Sequence, residues 1–175
     1  MAMQNFSLER VKTPTGMMLL VSDDEQRLRA LDWEDHEERM QKLLRRHYGE
    51  AVALKEVSRP SAARRALEAY FAGDMNALDD LKTATNGTDF QRAVWKGLRR
   101  IPVGQAISYG TLAERVGRPK ASRAVGLANG SNPIAVVVPC HRVIGANGSL
   151  TGFGGGIERK RWLLDHERKH VDSAR

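Results

Sequence analysis

One cysteine, Cys140, stands in Pro139-Cys140-His141-Arg142-Val143, directly after the apolar run Ile134-Ala135-Val136-Val137-Val138. Being the only cysteine of 175 residues, it can neither close an internal disulfide nor join a multi-cysteine metal site. A thiol beside an imidazole is an arrangement that makes a thiolate, because a nearby base or cation lowers a cysteine pKa from its free value of about 8.5. The β-branched run is short enough for a buried strand, and the turn-like Gly145-Ala146-Asn147-Gly148 follows. The expectation is therefore a strand that delivers Cys140 at its end. The plain alternative is a small buried hydrophobe.

Charge separates the two halves of the chain. Up to Asn86 there are 13 Lys/Arg against 15 Asp/Glu, a net of −2; from Gly87 onward there are 15 against 6, a net of +9. The whole basic excess lies in the half that holds Cys140, which suggests a polyanionic partner there, against the alternative of a merely solvated face. No apolar stretch approaches the ~20 residues of a membrane span. The first residues, Met1-Ala2-Met3-Gln4-Asn5, lack the apolar core of a secretory signal, so a reducing cytoplasm and no membrane partner are expected.

Patterning in the first half predicts a small α/β layer. Strands are expected over Phe6–Val11, Met17–Val21, Leu28–Trp33 and Val52–Val57, the first two joined by Thr13-Pro14-Thr15-Gly16. Met40, Leu43, Leu44 and Tyr48 give His36–Tyr48 helical spacing, and a second helix runs from after Pro60 to Phe71. His36 and His47 read as surface helix residues.

The second half reads as helical. Thr88-Asp89-Phe90-Gln91 fits a capping box, and Phe90, Val94, Leu98 and Ile101 mark the buried stripe that follows. Two short helices come next, over Thr111–Val116 and Lys120–Asn129, broken by Gly117-Arg118-Pro119. Leu112, Ala113 and Val116, then Ala124, Val125 and Ala128, are expected to face inward. Helix, tight turn, helix is the layout of a helix-turn-helix. Ser122, Gly126, Gly130 and the alanines would let the second helix approach DNA closely, favouring shape and phosphate contacts over base readout.

Four stretches together carry a family resemblance: the central pentapeptide, Asn132-Pro133 upstream, Arg123-Ala124-Val125-Gly126, and Trp162-Leu163-Leu164-Asp165-His166-Glu167. They closely resemble the O6-alkylguanine-DNA alkyltransferases (methylated-DNA–protein-cysteine methyltransferases) in their bacterial stand-alone form. The similarity is dense from Thr88 to Glu167 and looser before it, where LRALDWED, YFAGD and TATNGTDFQ carry it. The resemblance implies an N-terminal ribonuclease-H-like α/β domain over residues 1–82 and a linker over 83–87. Over 88–175 it implies a mostly helical, winged-helix-like DNA-binding domain with a helix-turn-helix.

It also implies roles. Cys140 is the alkyl acceptor, His141 the base that deprotonates it through a water, and Glu167 the acid that orients His141. Asn132 ties the turn into the active-site strand, and Tyr109 donates toward guanine N3. The carbonyls of Cys140 and Val143 accept from the exocyclic amine, while Phe153 and Gly154 form a pocket wall in which the Gly154 N–H faces O6. Relatives with Tyr-Ser there supply a hydroxyl that Gly154 cannot. Arg123 fills the gap left by a flipped nucleotide, and Ala121, Ser122, Gly126 and Tyr109 meet the DNA. The expected partner is double-stranded DNA carrying O6-alkylguanine, with O4-methylthymine as a second substrate. The protein is expected to act as a monomer, with cooperative loading on DNA left open. No cofactor or metal is implied, and the S-alkylcysteine product makes the reaction single-turnover. Two other readings stay open: a Cys-His-Glu hydrolase, and a DNA-binding sensor or regulator in which Cys140 does no chemistry.

Overall fold

The computed structural model describes residues 4–50 and 52–173, and the chain divides into two units, Met1–Asn86 and Gly87–Arg175. In the first, β1 (Gln4–Thr13), β2 (Gly16–Ser22), β3 (Leu28–Trp33) and β4 (Val52–Glu56) form a mixed sheet in the order β3-β2-β1-β4. β4 runs parallel to β1, and the other neighbours are antiparallel. Met18, Leu19, Leu20 and Val21 of β2 are all buried, as expected of a strand covered on both faces. On one face Phe6, Leu8, Leu19, Val21 and Ala30 pack with Met40 and Leu44 of α1 (Glu37–Tyr48). The opposite face carries buried Glu9, which accepts from both the N–H and the hydroxyl of Ser61. Ser61 caps α2 (Ala62–Phe71), so one residue starts a helix and pins it to the sheet. The four expected strands and two helices are all present, with ends displaced by a residue or two. Thr83 and Ala84 are tied to Leu28 of β3 rather than hanging free.

The second unit is built from helices. α3 (Asp89–Arg99) begins with the expected capping box: Thr88 Oγ1 accepts from Gln91 N–H at 3.1 Å, and Gln91 Oε1 accepts from Thr88 N–H at 3.0 Å. Its buried side is Val94, Trp95, Gly97 and Leu98, whereas Phe90 in the first turn is only half-buried and lies under the Arg118 guanidinium. α4 (Tyr109–Arg115) starts two residues before the expected Thr111, because Ser108 supplies the N-cap. A Cβ on Gly97 would stand 2.8 Å from Val116 Cγ1, so only glycine allows α3 to pass this close to the end of α4. α5 (Ser122–Gly130) is held to α3 by the Trp95 indole N–H, which donates to Ala128 O. Val125 and Ala128 face inward as expected, but Ala124 is exposed. A two-residue parallel pair, β5 (Ile107–Ser108) and β6 (Val143–Ile144), and the long α6 (Ile157–Ser173) complete the unit. No described helix is long and apolar enough to cross a membrane.

The expected strand before Cys140 is absent. Residues 134–138 are buried, yet they form consecutive turns rather than a strand. Val138 N–H bonds Ile134 O at 3.0 Å and Val137 N–H bonds Ala135 O at 2.8 Å, so the segment folds on itself. An unbroken apolar run reports burial, not conformation.

Candidate active site

The turn that presents Cys140 is held by one side chain. Asn132 Oδ1 accepts from Ile134 N–H at 3.0 Å, and its Nδ2 donates to Val138 O at 2.8 Å, closing the loop from inside. Asn132 is expected to tie a turn leading into a strand; what its side chain bonds is a coil of turns. Val136 sits at φ +71°, a left-handed backbone that a β-branched residue rarely adopts. Such strain costs about 1–3 kcal/mol and persists only where the surroundings over-determine it. Cys140 then opens a 3-10 turn, Cys140–Arg142, with its thiol residue 8% exposed.

His141 points the other way, into α6. Its Nε2 lies 2.7 Å from Glu167 Oε2, and both side chains are fully buried. The same carboxylate takes two bonds from Arg142, Nε to Oε1 at 2.8 Å and Nη2 to Oε2 at 3.0 Å; Arg142 Nη1 donates to Ile101 O. Burial would push the Glu167 carboxyl up, but His141 and Arg142 outweigh it and hold it far below the usual carboxylate range. Glu167 is therefore a fixed anion that orients the imidazole. The other ring nitrogen, His141 Nδ1, is buried and has no hydrogen-bond partner among the described residues. A thiol, an imidazole and a carboxylate thus sit on one turn and one helix, the kinds of group that a nucleophile–base–orienter arrangement requires.

The remaining expected residues lie on other elements. Tyr109 is the first residue of α4 and half-buried; a Cβ on Gly126 of α5 would make ordinary contact, 3.7 Å, with its ring. Val143 is buried in β6, and its N–H donates to Cys140 O. That carbonyl is thus partly engaged before any base amine could reach it. Arg123 and Ser122 are exposed and Ala121, which precedes α5, is half-buried. Phe153 is half-buried and Gly154 exposed in the loop before α6.

Three residues escaped the sequence reading. Arg142 lies inside the central motif, yet its role as the second cation on Glu167 needs the fold to be seen. Asn129 is buried at the end of α5, with Nδ2 3.5 Å from Cys140 O. Lys160 is fully buried, its Nζ donating to Thr151 O at 2.8 Å. Helical spacing held the signal for Lys160: it shares a face with Leu163 and Glu167.

Family models cover both units. That of the 6-O-methylguanine DNA methyltransferase ribonuclease-like domain matches residues 9–85, and that of the DNA-binding domain of the same proteins matches residues 89–169. A methylated-DNA–protein-cysteine methyltransferase of Shigella flexneri is 54% identical over 160 residues, 91% of this chain and 94% of that protein. One of Salmonella typhimurium is 52% identical over the same shares. The crystal structure of Mycobacterium tuberculosis O6-methylguanine methyltransferase, 40% identical, superposes with a TM-score of 0.77 over 94% of both chains. The crystal structure of Mycobacterium tuberculosis OGT in complex with DNA superposes with a TM-score of 0.76. With a ribonuclease-like α/β unit, a helical DNA-binding unit and a lone cysteine set beside a buried His-Glu pair, this chain belongs to the methylated-DNA–protein-cysteine methyltransferases, which repair O6-methylguanine in DNA by methyl transfer to a cysteine.

Proposed function

We propose that Cys140 is the alkyl acceptor and that the chain acts once, on O6-alkylguanine flipped out of double-stranded DNA, with O4-methylthymine as a second substrate. Cys140 is the only thiol the chain has, so transfer to a protein cysteine has one destination. The observation that carries the mechanism is the fully buried His141, bonded to Glu167 on one nitrogen and, among the described residues, unpartnered on the other. His141 Nδ1 takes the thiol proton through a water, and Glu167 stabilises the resulting imidazolium. The thiolate attacks the alkyl carbon; the S–C bond forms as the C–O6 bond breaks and its electron pair stays with guanine. Tyr109 donates its hydroxyl proton at N3 as that charge builds and regains one from the imidazolium through solvent. The net change moves one alkyl group to sulfur and one proton to guanine. A thioether offers water no ready leaving group, so the protein is consumed.

Access to O6 inside a duplex is blocked, so the nucleotide must leave the stack. α5 is the element that meets DNA in this reading. Its exposed side is small apart from Arg123 and Leu127, and the unit carries the basic excess. Arg123 takes the space vacated by the base. The Val143 carbonyl and the Gly154 N–H read the guanine edge, between Phe153 and the Cys140 turn.

Intact-mass spectrometry after incubation with excess O6-methylguanine duplex tests this. One methyl group per protein on Cys140, and none on Cys140→Ser, is the expected result. Catalytic turnover would favour the hydrolase reading; binding without transfer would favour the regulator.

A further inference from the structure

Among the described residues the large apolar side chains left exposed are Leu127, at 71%, and Ile157, at 37%. A lone exposed leucine on an arbitrary surface needs no explanation. This one stands on α5, four residues after Arg123, and so on the same side of the helix one turn further on. The other exposed residues of α5 are Ser122, Ala124 and Gly130, none larger than a serine. Leu127 has no inward place to turn to, because the buried stripe of α5 is made by Val125, Ala128 and Asn129. Its backbone is held as well. Ser131 donates to Leu127 O twice, from its N–H at 3.1 Å and from its hydroxyl at 2.9 Å. The next carbonyl, Ala128 O, accepts from the Trp95 indole of α3. A fixed piece of helix thus presents the leucine outward.

We infer that Leu127 is an apolar wedge for duplex DNA, pressed into a base step beside the nucleotide that leaves the stack. The inference rests on the reading that α5 meets DNA with Arg123 in the vacated space. Gripping phosphates takes charge, and the unit's net of +9 supplies that without a leucine. An apolar side chain gains nothing at a phosphate. It gains by covering the apolar parts of sugars and bases, and wedges of this kind part neighbouring base pairs. Four residues of helix rise about 6 Å, nearly two base steps of about 3.4 Å each. With Arg123 where the base was, Leu127 therefore reaches a step no more than about two away. The two side chains divide the work: Leu127 loosens the stack next to the target, and Arg123 holds the space once the base has gone.

2-Aminopurine, a base that brightens when unstacked, tests this when placed one, two or four steps from O6-methylguanine in a duplex. Mixing with wild type should brighten it at one or two steps and not at four. Leu127→Ala should lose about half of that rise or more, and duplex repair should slow by about 5–10-fold, because most of the apolar area of the wedge is gone. The log–log salt slope of binding should stay as in wild type, since no charge is lost. Methyl transfer from a single-stranded O6-methylguanine oligonucleotide, which has no paired stack to open, should slow by less than about 2-fold. Leu127→Met should restore both the rise and the rate, whereas Leu127→Gln, similar in length but polar, should not. Alanine, methionine and glutamine are all good helix formers, so the exposed position tolerates each. Equal slowing on single strand and duplex would make Leu127 a support of α5 and overturn the wedge. So would an undiminished rise and rate in Leu127→Ala, or no rise in wild type bound to the duplex. The fluorescence does not depend on the reaction: a rise that requires Leu127, with no methyl group on Cys140, would count against the assigned reaction and not against the wedge.

Discussion

Both units bury charged groups, and they use them differently. In the first unit the buried acids are Glu9, Asp23 and Asp32, each spent on backbone geometry or on a neighbouring guanidinium. Glu9 receives the start of α2, Asp23 closes the β2–β3 turn, and Asp32 pairs with Arg39 of α1. In the second unit the buried charges are His141, Arg142, Lys160, His166 and Glu167, and His141, Arg142 and Glu167 form one hydrogen-bonded cluster that includes the turn carrying Cys140. The contrast teaches what a buried charge is for. Where its partners are local backbone and surface-facing arginines, it holds a fold. Where buried charges bond to one another beside the lone cysteine, they hold a carboxylate ionised and fix an imidazole.

The comparison is tested hardest at Glu167. Glu167→Gln removes the anion that orients His141 and leaves Arg142 buried without a counter-charge. Transfer should fall by about 10²-fold or more, the scale of a lost acid–base function. Stability should fall as well, by about 3–5 kcal/mol for a broken buried pair. The sign with pH follows from the depressed carboxyl. Its stabilisation is fully present above the unfolded value of about 4.3 and is lost as pH falls through and below it. Denaturation of both proteins should therefore differ most at neutral pH and converge in acid. Full activity in Glu167→Gln would mean that the His-Glu pair is scaffold, like the acids of the first unit.

Arg123 sharpens the comparison from outside the core. Arg123→Ala removes one exposed cation, so the log–log salt slope of binding should drop by about 0.9, with a modest loss of affinity. Repair of duplex should fall further, by about 10-fold or more, since flipping costs a few kcal/mol that the arginine no longer offsets. Transfer from free O6-methylguanine, measured by mass on Cys140, should hardly change. Equal losses on both substrates would make Arg123 a support of α5 rather than a stand-in for the base.

How much of this was legible from residues alone follows the same division. The first unit could be read almost strand by strand, because apolar runs and the turn residues between them are local signals. In the second, the capping box at Thr88 and the two short helices were equally local. The turn at 134–138 was not, since its shape depends on Asn132 reaching six residues ahead to Val138 O. The buried charged residues of the second unit split likewise. His141 is adjacent to Cys140 in sequence, and Glu167 entered through the family motif, not through spacing. Arg142 and Lys160 stayed hidden because a sequence does not say which charged side chains are dry. Ala124, expected inward, faces out because α5 buries only the narrow stripe of Val125, Ala128 and Asn129.

The smallest effect is expected where the first unit's rule can be isolated, at Asp23. Its Oδ1 accepts from the N–H groups of Glu25 and Arg27, each at 2.9 Å, and its Oδ2 from Arg27 Nε at 2.8 Å and Arg29 Nε at 2.9 Å. These bonds hold a turn in which Gln26 adopts φ +63°, a conformation few non-glycine residues take. Burial pushes the Asp23 carboxyl up, but the Arg27 backbone and the two arginines outweigh it, and the group ends below its ordinary value. Asp23→Asn keeps Oδ1 as an acceptor and turns an amide toward two guanidiniums. The expected cost is about 1–3 kcal/mol, that of unpairing buried hydrogen-bonding groups. Because the native carboxyl is depressed, its contribution is complete above the unfolded value of about 3.9 and disappears as pH falls below it. Thermal melts of wild type and variant should therefore separate at pH 7 and draw together toward pH 3. The alkylation rate of Cys140, measured below the melting transition, should not move. If it drops along with stability, the acids of the first unit reach the reaction after all, and the division of labour drawn here does not hold.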